Sequence, residues 1–144
     1  MPNATLRQVN TKLFTLLQQI SNTKIAIVYE GFEPNPSSYP YAYPIFKGGK
    51  EIEGDTQYDQ AQMDFYIRVC AKDNNSVTTY TDWLDLIDTV YAQLRLKANR
   101  YLGGLVEDFL ISPNCIPFKT SVGNTNVLGC DIVISVIILT DTTL

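Results

Sequence analysis

Between Met63 and Val69 the chain alternates without a break: Met63, Phe65, Ile67 and Val69 are apolar, and Asp64, Tyr66 and Arg68 between them carry polar groups. A period of two places the first set on one side of an extended backbone and the second on the other, so this segment can bury its apolar residues only as a strand with one core face. The same pattern returns between Val127 and Leu139. There Leu128, Cys130, Ile132, Ile134, Val136 and Ile138 share one face, and Gly129, Asp131, Val133, Ser135 and Ile137 share the other. This second strand is polar at its start and apolar on both faces towards its end, which predicts a central place in a sheet. The tail from Thr140 to Leu144 is expected to be exposed.

A sheet with one apolar face needs a cover, and two amphipathic segments can supply it. From Leu6 to Ile20, apolar residues recur at steps of three and four, and Thr5 with Gln8 has the spacing of a capping box. A second stripe runs through Tyr80, Trp83, Leu84, Ile87, Val90, Tyr91, Leu94, Ala98 and Tyr101. Thr79 and Asp82 predict its start, Lys97 and Arg100 suit its negative end, and Gly103-Gly104 predicts a left-handed stop.

The remaining segments are shorter. Lys24 to Tyr29 reads as a first strand, rich in β-branched residues. Phe32 to Pro44 holds four of the seven prolines and predicts an extended, irregular arm that leads into a strand from Tyr41 to Lys47. Gly48-Gly49 predicts a turn, and the polar run Lys50 to Asp59 a hairpin tip or exposed loop. Leu105 to Ile111 reads as an edge strand, with Pro113 and Pro117 forcing a loop after it. The order predicts a single α+β domain over residues 1–144, a mostly antiparallel sheet with two helices on one face and a Pro/Tyr-rich arm and hairpin attached. With 144 residues, 45% of them apolar, the chain can bury one core without disulfide or metal staples.

Histidine is missing from all 144 residues, which removes the usual base near neutral pH and the commonest metal ligand. Other candidates have plainer readings. Glu51, Glu53, Asp55 and Asp59 lack the spacing of a calcium loop, Asp82, Asp85 and Asp88 read as a polar helix face, and Gly48-Gly49-Lys50 lacks the rest of a phosphate loop. Cys70 lies near Lys72 but has no histidine partner that would make it a nucleophile, and Cys70, Cys115 and Cys130 suit free thiols in a reducing compartment. The expectation is therefore no enzyme, no cofactor and no metal. A net charge of −4 with scattered Lys and Arg disfavours direct nucleic-acid binding. Met1 to Ala4 does not open a secretory signal, and Ile132 to Leu139 is too short to span a membrane, so a cytoplasmic product is expected.

The run Tyr39-Pro40-Tyr41-Ala42-Tyr43-Pro44 offers large rings on a stiff backbone, suited either to a contact with another chain or to covering the chain's own sheet. Together with the helix before it, the polar hairpin, the Gln62-x-Asp64-Phe65-x-Ile67 strand and the Trp83-bearing helix, it resembles the tail-terminator and neck proteins of tailed bacteriophages over Leu6 to about Tyr101. That resemblance implies a virion protein assembled in the host cytoplasm. It further implies a homo-oligomeric ring, usually a hexamer, that caps the tail tube, meets the head connector and lets DNA pass through. On this reading Phe32, Tyr39, Tyr41, Tyr43 and Phe46 would lie on a neighbouring subunit. Lys50, Glu51, Glu53 and Asp55 would face the lumen or an axial partner. A head-closure or adaptor (stopper) protein of the neck is an alternative that differs only in where it docks, and a protein-binding module outside phages is a further one.

Overall fold

The first helix, α1 (Leu6–Gln18), begins where Thr5 and Gln8 cap each other reciprocally: the Gln8 amide donates to Thr5 Oγ1 (3.1 Å) and the Thr5 amide to Gln8 Oε1 (2.8 Å). It buries Val9, Leu13, Leu16 and Leu17, as the spacing predicts. The structure is a computed structural model that describes residues 4–20, 25–52 and 58–141. After α1 come β1 (Ile27–Val28), β2 (Tyr41–Ile52), β3 (Tyr58–Lys72), α2 (Val77–Leu94), a 3-10 segment (Lys97–Leu102), β4 (Asp108–Val122) and β5 (Thr125–Asp141). The strands form one five-stranded sheet in the order β1-β2-β3-β5-β4, antiparallel except for the short β1–β2 pair. This is the α+β arrangement expected.

Both alternating strands sit in the middle of that sheet, where each has two partners and the largest area to bury. Phe65, Ile67 and Val69 of β3 stand beside Ile134, Ile132 and Cys130 of β5, and all six are inaccessible to solvent or nearly so. With Val9, Leu13 and Leu17 of α1 and Leu86, Val90 and Leu94 of α2 they make one core between helices and sheet. Each such side chain contributes about 1.5–3 kcal/mol by leaving water.

Several boundaries differ from the sequence reading. Helix α2 starts at Val77, capped by Ser76, whose Oγ accepts the Thr79 amide at 3.1 Å, so Thr79 and Asp82 do not form the cap. An Asp73 turn, with the Asn75 amide on Asp73 Oδ1 at 2.9 Å and Asn75 at positive φ, delivers the chain to Ser76. Helix α2 also ends at Leu94 and not near Tyr101, because Leu96 is extended and the buried Asn99 donates from Nδ2 to the Gln93 carbonyl (2.8 Å), satisfying a C-terminal acceptor. Gly103 and Gly104 are left-handed, as expected, but they close the 3-10 segment instead of the helix.

The prolines after Ile111 do not end the strand. Strand β4 runs on to Val122, with Ser112, Pro113 and Asn114 bulged opposite Val133 before pairing resumes at Cys115. An edge strand tolerates proline because one row of its amides has no strand to bond, and Tyr91 Oη fastens the bulge by donating to the Ser112 carbonyl (2.9 Å). Gly48-Gly49 likewise makes no turn, and the bulge falls at Lys47, just before it. The β2–β3 register shifts between Phe46 and Gly48, and Gly48 takes a φ of 135° that other residues avoid. Pairing continues through Ile52 opposite Gln60, so Lys50 and Glu51 belong to β2. Strand β5 likewise extends through Thr140 and Asp141, which pair with Asp59 and Tyr58.

Candidate subunit interfaces

One face of the sheet carries both helices and the other carries none. On the helix-free face β3 presents Gln62, Asp64, Tyr66, Arg68 and Cys70, β5 presents Val127 to Ile137 by alternate residues, and β2 presents Tyr41, Tyr43 and Ile45. Three zones follow one another along it.

The first zone is aromatic. The Tyr41 and Tyr43 rings stack with centroids 6.1 Å apart, Tyr39 meets Tyr41 edge-on at 5.3 Å, Tyr29 meets Tyr41 at 6.0 Å, and Phe32 meets Tyr43 at 6.2 Å. These rings bury Cys70 and Val127 beneath them. The segment from Glu30 to Pro40 is irregular, as expected of the arm, and is fastened to the body. The Ala26 and Tyr29 amides donate to the Pro40 and Ala42 carbonyls (both 2.9 Å), and the Ser37 amide donates to Tyr29 Oη (2.9 Å). A cleft of about 350 Å³ opens between Phe32 to Pro34 and the β4–β5 turn.

The second zone is a fixed charge. Arg68 grips Asp131 with two bonds, Nε to Oδ1 and Nη2 to Oδ2, both 2.8 Å, and its guanidinium lies 4.8 Å from the Phe118 ring centroid. The hydrogen bond to Asp131 first, and the neighbouring Tyr43 after it, hold Arg68 firmly protonated in spite of its partial burial. Phe118 can lie flat because its cross-strand partner is Gly129: a Cβ there would sit 2.1 Å from the Phe118 ring. The third zone is apolar with one polar knot. Ile45, Tyr66, Val133 and Ile137 are half-buried, and Leu110 and Ile116 of β4 are each 48% exposed. In their midst Asp64 Oδ1 accepts from Ser135 Oγ (2.7 Å) and Gln62 Nε2 (3.0 Å).

Burial pushes the Cys70 thiol up to about 11, well away from the reactive thiolate, and burial likewise raises Tyr41 and Tyr43. Among the described residues no three His, Cys, Asp or Glu side chains gather as a metal ion would need, and no helix is long and apolar enough to cross a membrane. Gln62, Asp64, Arg68, Asp131 and Ser135 on this face are paired with one another.

The residues expected at a subunit contact divide. Tyr41 and Tyr43 are buried in the chain's own aromatic zone, Tyr39 is half-buried, and Phe32 stands 73% exposed at its rim. Phe46 has the opposite parity in β2 and sits on the helix side, 5.4 Å from the Phe65 ring and beside Leu6 and Arg7. It does not join the others. Of the residues expected at a lumen, Lys50 and Glu51 are in β2, with their side chains outside what is described, and Glu53 and Asp55 lie outside the described residues.

A second surface was not foreseen. Between α2 and β4 runs a groove of about 1140 Å³ lined by Val77, Tyr80, Trp83, Leu84, Cys115 and Pro117, with Val77 79% and Tyr80 51% exposed. Nε1 of the buried Trp83 has no acceptor among the described residues. The signal lay in the width of the apolar stripe on α2, which exceeds what one buried face requires. Compared with known proteins, the sequence matches no family model and no curated sequence.

Proposed function

We propose that this chain is a non-enzymatic structural subunit of a bacteriophage neck, which closes with copies of itself into a ring, a hexamer, capping the tail tube and meeting the head connector. The observation that carries this reading is the helix-free sheet face. Its apolar residues are left open, while its charges are paired within the chain, as suits a surface that meets protein without leaving unpaired polar groups behind. The sequence resemblance supplies the kind of assembly.

In this reading the open face docks against the tube or the connector, and the two flanks of the sheet meet neighbouring copies. The arm, with Phe32 at its rim, reaches a neighbour, and the β2–β3 hairpin carries Lys50, Glu51, Glu53 and Asp55 to the lumen. A chain of net charge −4 lets DNA slide past, since like charge discourages phosphate contact. Electron microscopy of the purified protein tests the reading: rings with an open centre are expected, and particles without a centre overturn it. Replacing Glu51, Glu53 and Asp55 with Lys should slow DNA ejection from assembled virions, and unchanged kinetics would remove them from the lumen.

A further inference from the structure

The two helices carry opposite charge. From Asp73 to Leu94 the chain has Asp73, Asp82, Asp85 and Asp88 and no Lys or Arg, whereas residues 4–20 and 95–104 hold Arg7, Lys12, Arg95, Lys97 and Arg100 and no Asp or Glu. The fold turns this into two flanks. The groove between α2 and β4 lies at the β4 edge, with Asp73 and Asp88 at its rim, Asp85 exposed one turn before Asp88, and a single cation, Lys119, on the β4 wall. On the other flank α1 packs towards β2, and a second groove of about 700 Å³ separates it from the turn at Leu102 to Leu105, with Arg7 and Lys12 along its wall; one carboxylate, Glu30, joins this flank by accepting from Thr11 Oγ1 (3.2 Å). Neither Arg7 nor Lys12 makes an ion pair among the described residues, nor do Asp85 and Asp88. Apolar side chains are exposed with them: Val77, Tyr80 and Leu84 on the acidic flank, and Leu6 on α1.

A ring built head to tail needs two different patches that fit each other and lie on different sides of the subunit. We infer that the acidic, apolar groove of α2 and β4 receives the basic α1 flank of a second copy of this chain, forming the lateral contact of the ring. This rests on the ring reading above and specifies its interface. The charge sets direction: acidic flank against acidic flank is repelled, so copies add in one sense only.

Three forms of the full-length chain, checked for folding by circular dichroism, test this by sedimentation velocity beside the wild type. One carries Asp85→Lys and Asp88→Lys, the second Arg7→Glu and Lys12→Glu, and the third all four changes. The wild type is expected to assemble, each double variant to lose at least about tenfold in association, and the quadruple variant to recover, since the swapped charges again attract. Raising salt from about 0.05 to 0.5 M should weaken wild-type assembly, and this needs no substitution. Double variants that assemble like the wild type, or a quadruple variant that stays apart, overturn the proposed contact and leave the ring itself standing. A wild type that sediments as a monomer at every concentration overturns both, and a double variant that loses only binding to duplex DNA reassigns the basic flank to nucleic acid.

Discussion

The two faces of the sheet are made from the same four long strands, and they solve opposite problems. On the helix side every second residue from Ala61 to Ala71 of β3 and from Leu128 to Ile138 of β5 is apolar, and these residues form the sheet's side of the core. On the open side the alternate positions hold Gln62, Asp64, Arg68, Asp131 and Ser135 among apolar neighbours, each polar group bonded to another. The first face holds the monomer together by excluding water. The second leaves apolar side chains such as Leu110 and Ile116 in water beside polar groups that are already paired.

That contrast can be broken by substitution. Phe65→Ala on the closed face should cost about 3–5 kcal/mol in chemical denaturation, since the site is fully buried between helix and sheet. A loss under about 1 kcal/mol would mean the closed face is not the core. On the open face Asp131→Ala strands Arg68 against Phe118 and should cost about 2–3 kcal/mol, less than a fully buried pair because Arg68 keeps some access to water. A parallel measurement on Arg68→Met/Asp131→Leu, which removes both charges, should recover most of that loss.

Alkali supplies a third comparison. The Cys70 thiol is neutral in the folded protein and ionises near 11 instead of its usual 9.0, so the unfolded chain loses its proton first. Folding stability from this group is therefore complete below about pH 9 and falls by about 2 kcal/mol as pH rises towards 11. Cys70→Ala should make that stretch of the stability curve less steep, the rest of the slope coming from Tyr41, Tyr43 and Cys130, which burial also raises. A slope identical to the wild type would exclude the thiol as a source. Gly129→Ala should cost about 1–2 kcal/mol by pushing Phe118 off the strand, with Gly129→Ala/Phe118→Leu less affected than their sum. The smallest effect is expected at the open rim: Ile116→Ser should change monomer stability by no more than about 0.5 kcal/mol. A cost like that of Phe65→Ala would make the open face part of the core.

Much of this architecture was legible in the sequence because alternation and helical spacing are local signals. Met63 to Val69 and Leu128 to Ile138 predicted the central strands and their inward residues, and Thr5 with Gln8 predicted the cap of α1. What escaped was set by partners distant in sequence. Strand β4 passes its prolines because it lies at the sheet edge and Tyr91 pins the bulge, and α2 stops early because Asn99 folds back onto it. The candidate site divides similarly. The tyrosine run is visible in the sequence, but a contact set that joins Phe46 to it ignores strand parity: Tyr41 and Tyr43 point to one face and Phe46 to the other. The apolar groove at α2 and the Arg68–Asp131 pair, 63 residues apart in the chain, needed the sheet register to be seen at all.

The ring is the claim on which the functional reading stands, and its mass tests it most directly. Native mass spectrometry of the purified chain at micromolar concentration should find one closed species at six times the 16.2 kDa of a single chain, with no ladder of larger forms. A 16.2 kDa species alone, unchanged as the concentration rises, would contradict it.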